Sequence, residues 1–246
     1  MSLSYPLRLL AFVLVYVLSR FAASWLVLAL PRLRNGPLLR IAASVQLWAP
    51  RLGLDEFLRL AYYVLVPFAV LQLGWVSPVD LGLVNLDWVR GIGVTVALTV
   101  AALGPLVWIW WRYLRLVEWS GDCVVVRQWA EPWGWTRSLR EAVLLEASWA
   151  LIRSAGLVAL GGYWGVCAGL SLILVSVLID PRALSNLRTV GRREESLLNA
   201  SLVLATSALF WLSGNLWLCC LAHAALRCSV LSMVSRCGVK AADRGT

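Results

Sequence analysis

The chain has few charged residues for its length. Only 14% of its 246 residues are Asp, Glu, Lys or Arg, whereas 61% are hydrophobic, and the mean hydropathy is +0.78. A soluble domain carries about 25% charged residues, so a chain this poor in charge cannot cover a surface that faces water. The composition excludes an ordinary water-soluble globular protein and predicts a chain that lies in a lipid bilayer.

Metal-ligating residues are also scarce. His223 is the only histidine, and the six cysteines include no Cys-x-x-Cys spacing. Cysteine in an apolar stretch usually behaves as a small hydrophobic residue. The pattern predicts neither a disulfide framework nor a zinc site, and we expect no metal and no cofactor.

The positive net charge has a simple interpretation in a membrane protein. The chain carries 22 Lys and Arg against 13 Asp and Glu, a formal charge of +9. These basic residues are spread over the linkers between apolar stretches, and no aromatic and basic face typical of a nucleic-acid-binding module is present. We therefore expect no nucleic-acid partner. An excess of arginine beside membrane spans sets their orientation instead.

Long apolar runs are what the sequence has in abundance, and several approach the roughly 20 residues that a helix needs to cross a bilayer. We predict an all-α, polytopic transmembrane bundle of about seven spans, forming a single integral membrane domain over residues 1–246. The predicted spans are Leu9–Leu30, Phe57–Val76, Gly91–Trp111, two within Glu141–Ile179 and two within Asn199–Val234. Pro67 is expected to kink the second span, Gly156, Gly161 and Gly162 offer the break in the fourth run, and Ser213-Gly214-Asn215 is expected to break the last one.

The linkers carry most of the arginines. Residues 31–56, which include a short amphipathic stretch from Leu38 to Trp48, and residues 112–140 are predicted to be cytoplasmic or interfacial, and residues 235–246 form a tail. With the N-terminus outside, only Arg8 and Arg90 fall on the outer side. The asymmetry predicts this orientation and fits a multi-pass protein of a bacterial plasma (inner) membrane.

Five ionisable residues fall within the predicted spans: Arg20, Glu146, Arg153, His223 and Arg227. A charge near the bilayer centre costs about 2.5–3.5 kcal/mol on insertion scales, so each one needs a reason. One interpretation is structural: Glu146 neutralises Arg153 or Arg20, and Arg227 extends to the inner surface. The other is a polar site built from the fourth, sixth and seventh spans. Glu146 and Arg153 are seven residues apart and therefore share a helix face.

Three segments follow one another along the chain in an order that carries a resemblance. They are Leu81-Gly82-Leu83 to Asp87-Trp88, Arg140-Glu141 with Leu145-Glu146-Ala147-Ser148-Trp149 to Arg153, and Asn215-Leu216-Trp217-Leu218 to His223. In this order they resemble the CPBP family, the CAAX-protease and bacteriocin-processing membrane proteins. The resemblance covers roughly residues 57–227.

The resemblance implies an intramembrane endopeptidase that acts by general-base chemistry in a dry site. Carried over by position, Glu146 would be the base, Arg153 its orienting charge and His223 the late histidine of the catalytic set. The implied partners are membrane lipid and a membrane-embedded or prenylated peptide as the substrate.

Several departures from the family pattern favour a degenerate member. No second glutamate is adjacent to Glu146, no second histidine exists, and Arg227 stands where an asparagine would follow His223 by four residues. We therefore predict weak or absent proteolysis. Two alternatives remain open: a non-catalytic scaffold that binds a partner or lipid, and a small anion transporter. The absence of an internal repeat disfavours the transporter.

Overall fold

A computed structural model describes residues 4–29, 54–116, 129–189 and 192–242. Within these ranges the chain is helical and contains no β-strand, as the all-α prediction requires. The helices are α1 (Tyr5–Ala29), α2 (Leu54–Leu60), a π-helical turn (Ala61–Leu65), α3 (Val66–Gln72), α4 (Trp88–Leu116), α5 (Gly134–Leu160), α6 (Gly162–Ile179), α7 (Pro181–Arg188), α8 (Arg193–Ser213) and α9 (Leu216–Ala242).

Six of these helices are long and apolar enough to cross a membrane in the described part of the chain: α1, α4, α5, α6, α8 and α9. The fold is thus a helical membrane bundle, and six of its helices are long enough by themselves to be spans, against the seven spans predicted. The difference lies at the predicted span Phe57–Val76. Here a π-helical turn interrupts the helix that runs from Leu54 to Gln72, which we call the broken helix. Pro67 has no N–H to donate, and just before it the Val66 N–H donates to the Ala61 carbonyl, five residues back. A π-helical turn thus stands directly before the proline at which the kink was expected.

Both predicted breaks in the long apolar runs are present. α5 ends and α6 begins around Gly161, whose φ of +69° is a left-handed value that glycine adopts at little cost. α8 ends at Gly214, with φ of +57°, and α9 starts two residues later. Each 36- to 39-residue run therefore becomes an antiparallel pair of helices.

Contacts at both ends of the broken helix fix its path through the bundle. At one end, Arg59 donates to Glu141 over 2.6 Å. Arg140 donates to Glu56 over 3.1 Å, and this hydrogen bond lowers the pKa of the Glu56 carboxyl. Beyond the other end, the Gly82 carbonyl accepts a hydrogen bond from Leu216 N–H over 2.9 Å. We refer to the end that holds Arg59 as the arginine-rich end and to the opposite one as the Gly82 end.

α5 is the central helix. In its apolar, membrane-spanning stretch, 67% of α5 is buried inside the protein, against 11% of α4. It packs most closely on α6, because a Cβ on Gly156 would lie 2.2 Å from the Gly165 carbonyl oxygen. Only glycine permits this approach of the two backbones.

Helices extend into each of the segments predicted as linkers or tail. α4 continues to Leu116 and α5 begins at Gly134, so both helices enter the predicted linker 112–140. The predicted linker 31–56 already contains the start of α2, and α9 extends into the predicted tail as far as Ala242. The amphipathic stretch Leu38–Trp48 lies outside the described residues.

Candidate functional site

The centre of the candidate site is an ion pair along one face of α5. Glu146 and Arg153 are separated by two helical turns, and Arg153 Nη2 donates to Glu146 Oε2 over 2.6 Å. Gly169 of α6 lies directly behind this pair: a Cβ at Gly169 would lie 2.7 Å from the Arg153 Cα. The spacing of seven residues therefore places both charges on the same face, inside the bundle.

His223 comes to this pair from α9. The Asn215 side chain caps the N-terminus of α9 by accepting a hydrogen bond from Leu218 N–H over 3.2 Å. The Gly82 carbonyl holds the first residue of the helix, Leu216, in place. His223 follows two turns later, and its Nδ1 lies 2.9 Å from Glu146 Oε1. The cap thus sets the depth at which the imidazole meets the carboxylate.

Two aromatic rings complete the surroundings of the charged groups. Trp149, which lies between Glu146 and Arg153 on α5, stacks on the His223 ring with centroids 5.2 Å apart. Phe210 of α8 faces Arg153, whose guanidinium carbon lies 4.7 Å from the ring centroid. A cation over an aromatic face is stabilised, more so where water is excluded. The site therefore joins α5, α8 and α9.

Each oxygen of the Glu146 carboxylate has a direct protein partner, one in Arg153 and the other in His223. All three side chains have 0% exposure. Arg153 Nε and Nη1 and His223 Nε2 are buried and have no hydrogen-bond partner within the described ranges. We call Glu146, Arg153 and His223 the buried triad.

The structure decides between the partners that the sequence left open. Glu146 pairs with Arg153, and not with Arg20, whose Nε lies 3.5 Å from Asp180 instead. The expected convergence of Glu146, Arg153 and His223 is confirmed: the ion pair comes from α5 and the imidazole from α9, whereas α8 contributes only the Phe210 ring. Arg227 is not part of the triad.

Arg227 belongs to a second polar centre, a cleft of about 130 Å³ at the arginine-rich end. The cleft is lined by residues of α2, α5, α8 and α9 together with the segment before α5: Arg59, Trp129, Gly134, Arg137, Ser138, Glu141, Glu195 and Arg227. None of the triad residues lines it. We call it the arginine cleft.

The arginine cleft was not predicted from the sequence. Arg137 and Glu141 stand four residues apart at the start of α5 and so share a face, which was the one local signal available. Glu195 and Arg227 come from other helices, 54 or more residues further along the chain. Aromatic partners of the triad were missed for the same reason, because Phe210 is 57 residues away from Arg153.

Comparison of the chain with protein-family models, with curated proteins and with solved structures finds no match.

Proposed function

We propose that this chain is a non-proteolytic integral membrane protein with a CPBP-like arrangement of helices, in which the buried triad stabilises the packing of α9 on α5. It would act as a scaffold that binds a partner helix or lipid in a bacterial plasma membrane. The observation that carries the proposal is the occupation of both Glu146 oxygens by Arg153 and His223 in a site without exposure. The arginine-rich linkers support the location.

A general base must reach the water whose proton it takes. At Glu146 the place of such a water is taken by two protein groups at hydrogen-bonding distance, 2.6 Å and 2.9 Å away. Protonation of this carboxylate would also leave the buried Arg153 charge without its counter-ion, which is costly in a low-dielectric interior. Both effects oppose a catalytic role and favour a structural one.

Stabilisation of the oxyanion is the second requirement for peptide hydrolysis. Removal of a single oxyanion donor typically lowers the rate about 100- to 1,000-fold. The chain has one histidine, and its Nδ1 already contacts Glu146. Arg153 Nη2 is likewise directed at the carboxylate. Each of the two groups that could stabilise an oxyanion therefore already has one nitrogen on the base, and its remaining unpartnered nitrogens are buried.

An active endopeptidase is the second candidate, and one contact favours it. A carboxylate beside a histidine is an arrangement that general-base catalysis uses, and Glu146 and His223 are in direct contact, with Nε2 of the ring still unpartnered within the described chain. In this case the substrate would be a membrane-embedded or prenylated peptide that separates the triad when it binds.

The two candidates differ in a direct cleavage assay. Purified wild-type protein in lipid nanodiscs is incubated with a fluorogenic prenylated peptide, with the Glu146→Gln protein as the matched control. We expect the two proteins to release fluorophore at the same background rate as empty nanodiscs. Turnover by the wild type that the substitution abolishes would refute the non-proteolytic function.

A further inference from the structure

We propose that the arginine cleft binds the phosphodiester headgroup of an anionic membrane lipid. The cleft shares no residue with the buried triad, so this proposal does not depend on whether Glu146 catalyses a reaction. It rests on the charge of the cleft, on its apolar surroundings and on an incompletely bonded guanidinium in its wall.

The wall of the cleft contains a buried arginine with a free donor. Arg227 Nη1 donates to Asn199 over 2.7 Å, and its Nη2 lies 3.8 Å from Glu195. Its Nε is buried and has no hydrogen-bond partner in the described parts of the chain. An unpaired buried donor is unfavourable, so the guanidinium in the cleft wall is not fully satisfied by the described protein groups, and its positive charge favours an anionic ligand.

The charge of the cleft matches a monoanion. Among the described residues, its walls hold three guanidinium groups, from Arg59, Arg137 and Arg227, and two carboxylates, from Glu141 and Glu195. Glu141 is engaged by Arg59 at 2.6 Å. The excess of one positive charge is neutralised by a phosphodiester, which carries one negative charge. Arginine is well suited to this ligand because its planar fork donates two parallel hydrogen bonds to a phosphate.

The surroundings of the cleft favour a lipid over a soluble anion. Phe57 and Leu58 precede Arg59 on α2, and Leu139 and Val143 flank Glu141 on α5; all four are exposed. In a bilayer these side chains would face acyl chains while the cleft lies at the end of the bundle, where headgroups are found. Basic pockets between membrane helices are a known type of site for acidic lipid headgroups.

The test measures the thermal stability of the full-length protein in detergent during titration with phosphatidylglycerol, phosphatidylcholine or inorganic phosphate. A ligand that binds only the folded state raises the melting temperature. Arg137→Gln is the informative variant because Arg137 is exposed and its loss does not disturb the buried network. Arg188→Gln, an exposed arginine near the same end but outside the cleft, is the matched control.

We expect phosphatidylglycerol to stabilise the wild type and the Arg188→Gln protein equally, and phosphatidylcholine and inorganic phosphate to have little effect. Arg137→Gln should require about tenfold more phosphatidylglycerol for the same shift, since it loses a charge-assisted hydrogen bond. Equal titration curves for Arg137→Gln and the wild type would overturn the site. Equal stabilisation by inorganic phosphate or by phosphatidylcholine would overturn the anionic headgroup as its ligand.

Discussion

The Glu146→Gln substitution isolates the charge of the buried triad. Glutamine has nearly the same shape as glutamate, and its carbonyl oxygen can still accept from Arg153 while its amide nitrogen faces His223 Nδ1. The hydrogen bonds at 2.6 Å and 2.9 Å therefore have replacements. What the substitution removes is the negative charge, which leaves the fully buried Arg153 without a counter-ion.

The expected loss of stability follows from that burial. Removal of one partner of a buried ion pair typically costs about 3–5 kcal/mol, because the remaining charge stays desolvated. For a protein of this size about 1 kcal/mol corresponds to roughly 2–4 °C in melting temperature. The Glu146→Gln protein should therefore melt about 6–20 °C below the wild type.

Melting can be followed in detergent by intrinsic tryptophan fluorescence, with two further variants as controls. Glu56→Gln removes an exposed carboxylate that also pairs with an arginine and should shift the melting temperature by less than about 2 °C. Glu146→Gln combined with Arg153→Met removes the unpaired charge and should recover most of the loss. An unchanged melting temperature for Glu146→Gln, or no recovery in the double variant, would refute a structural ion pair.

Two further predictions concern the path and the packing of the helices. The path of the broken helix 54–72 places Val79 near the Gly82 end of the bundle, whereas Ser185 of α7 lies at the opposite end. Single cysteines at these positions, in a cysteine-free background, should therefore react from opposite sides of the membrane, with Ser185 cytoplasmic. Reaction of both from one side would exclude this path. Gly156→Ala should lower the melting temperature by several degrees, because the new Cβ would lie 2.2 Å from the Gly165 oxygen and overpacking typically costs about 1–3 kcal/mol. Gly93→Ala is the control and should be tolerated, because a Cβ on Gly93 meets nothing within 4 Å. Equal effects of the two substitutions would contradict the close packing of α5 on α6.

Much of the fold could be predicted because its signals are local. Apolar runs identify the spans, and Gly161 and Gly214 mark the breaks because their left-handed φ values suit glycine. The spacing of seven residues was enough to place Glu146 and Arg153 on one face. The π-helical turn before Pro67 could not be predicted, since hydropathy does not register a change of helix type.

The remaining contacts could not be predicted because they depend on how separate helices pack. The partner of Arg20 is Asp180, 160 residues away, just beyond the end of α6. The arginine cleft combines residues of four helices, and no periodicity within one helix indicates which of its charges will meet those of another. The three residues of the triad were identified as ionisable groups within predicted spans. The expectation that His223 meets Glu146, 77 residues earlier, came from the resemblance, which ordered segments between residues 81 and 223.

A buried triad has a particular use in a bilayer, where the hydrophobic effect does little to hold one helix against another. Lipid tails are as apolar as leucine, so helices associate through close packing and polar contacts. The glycine contacts between Gly156 and Gly165 hold α5 on α6, but they do not reach α9. The contact from His223 to Glu146 does, and it forms at one depth only, because a shift of α9 by one turn would move the imidazole about 5.4 Å along the helix axis. On the proposed structural role, the triad would set the register of α9 on α5 as well as contribute to stability. An apolar pair would then not be an equivalent replacement, because it could restore the melting temperature while removing the interaction that selects one register.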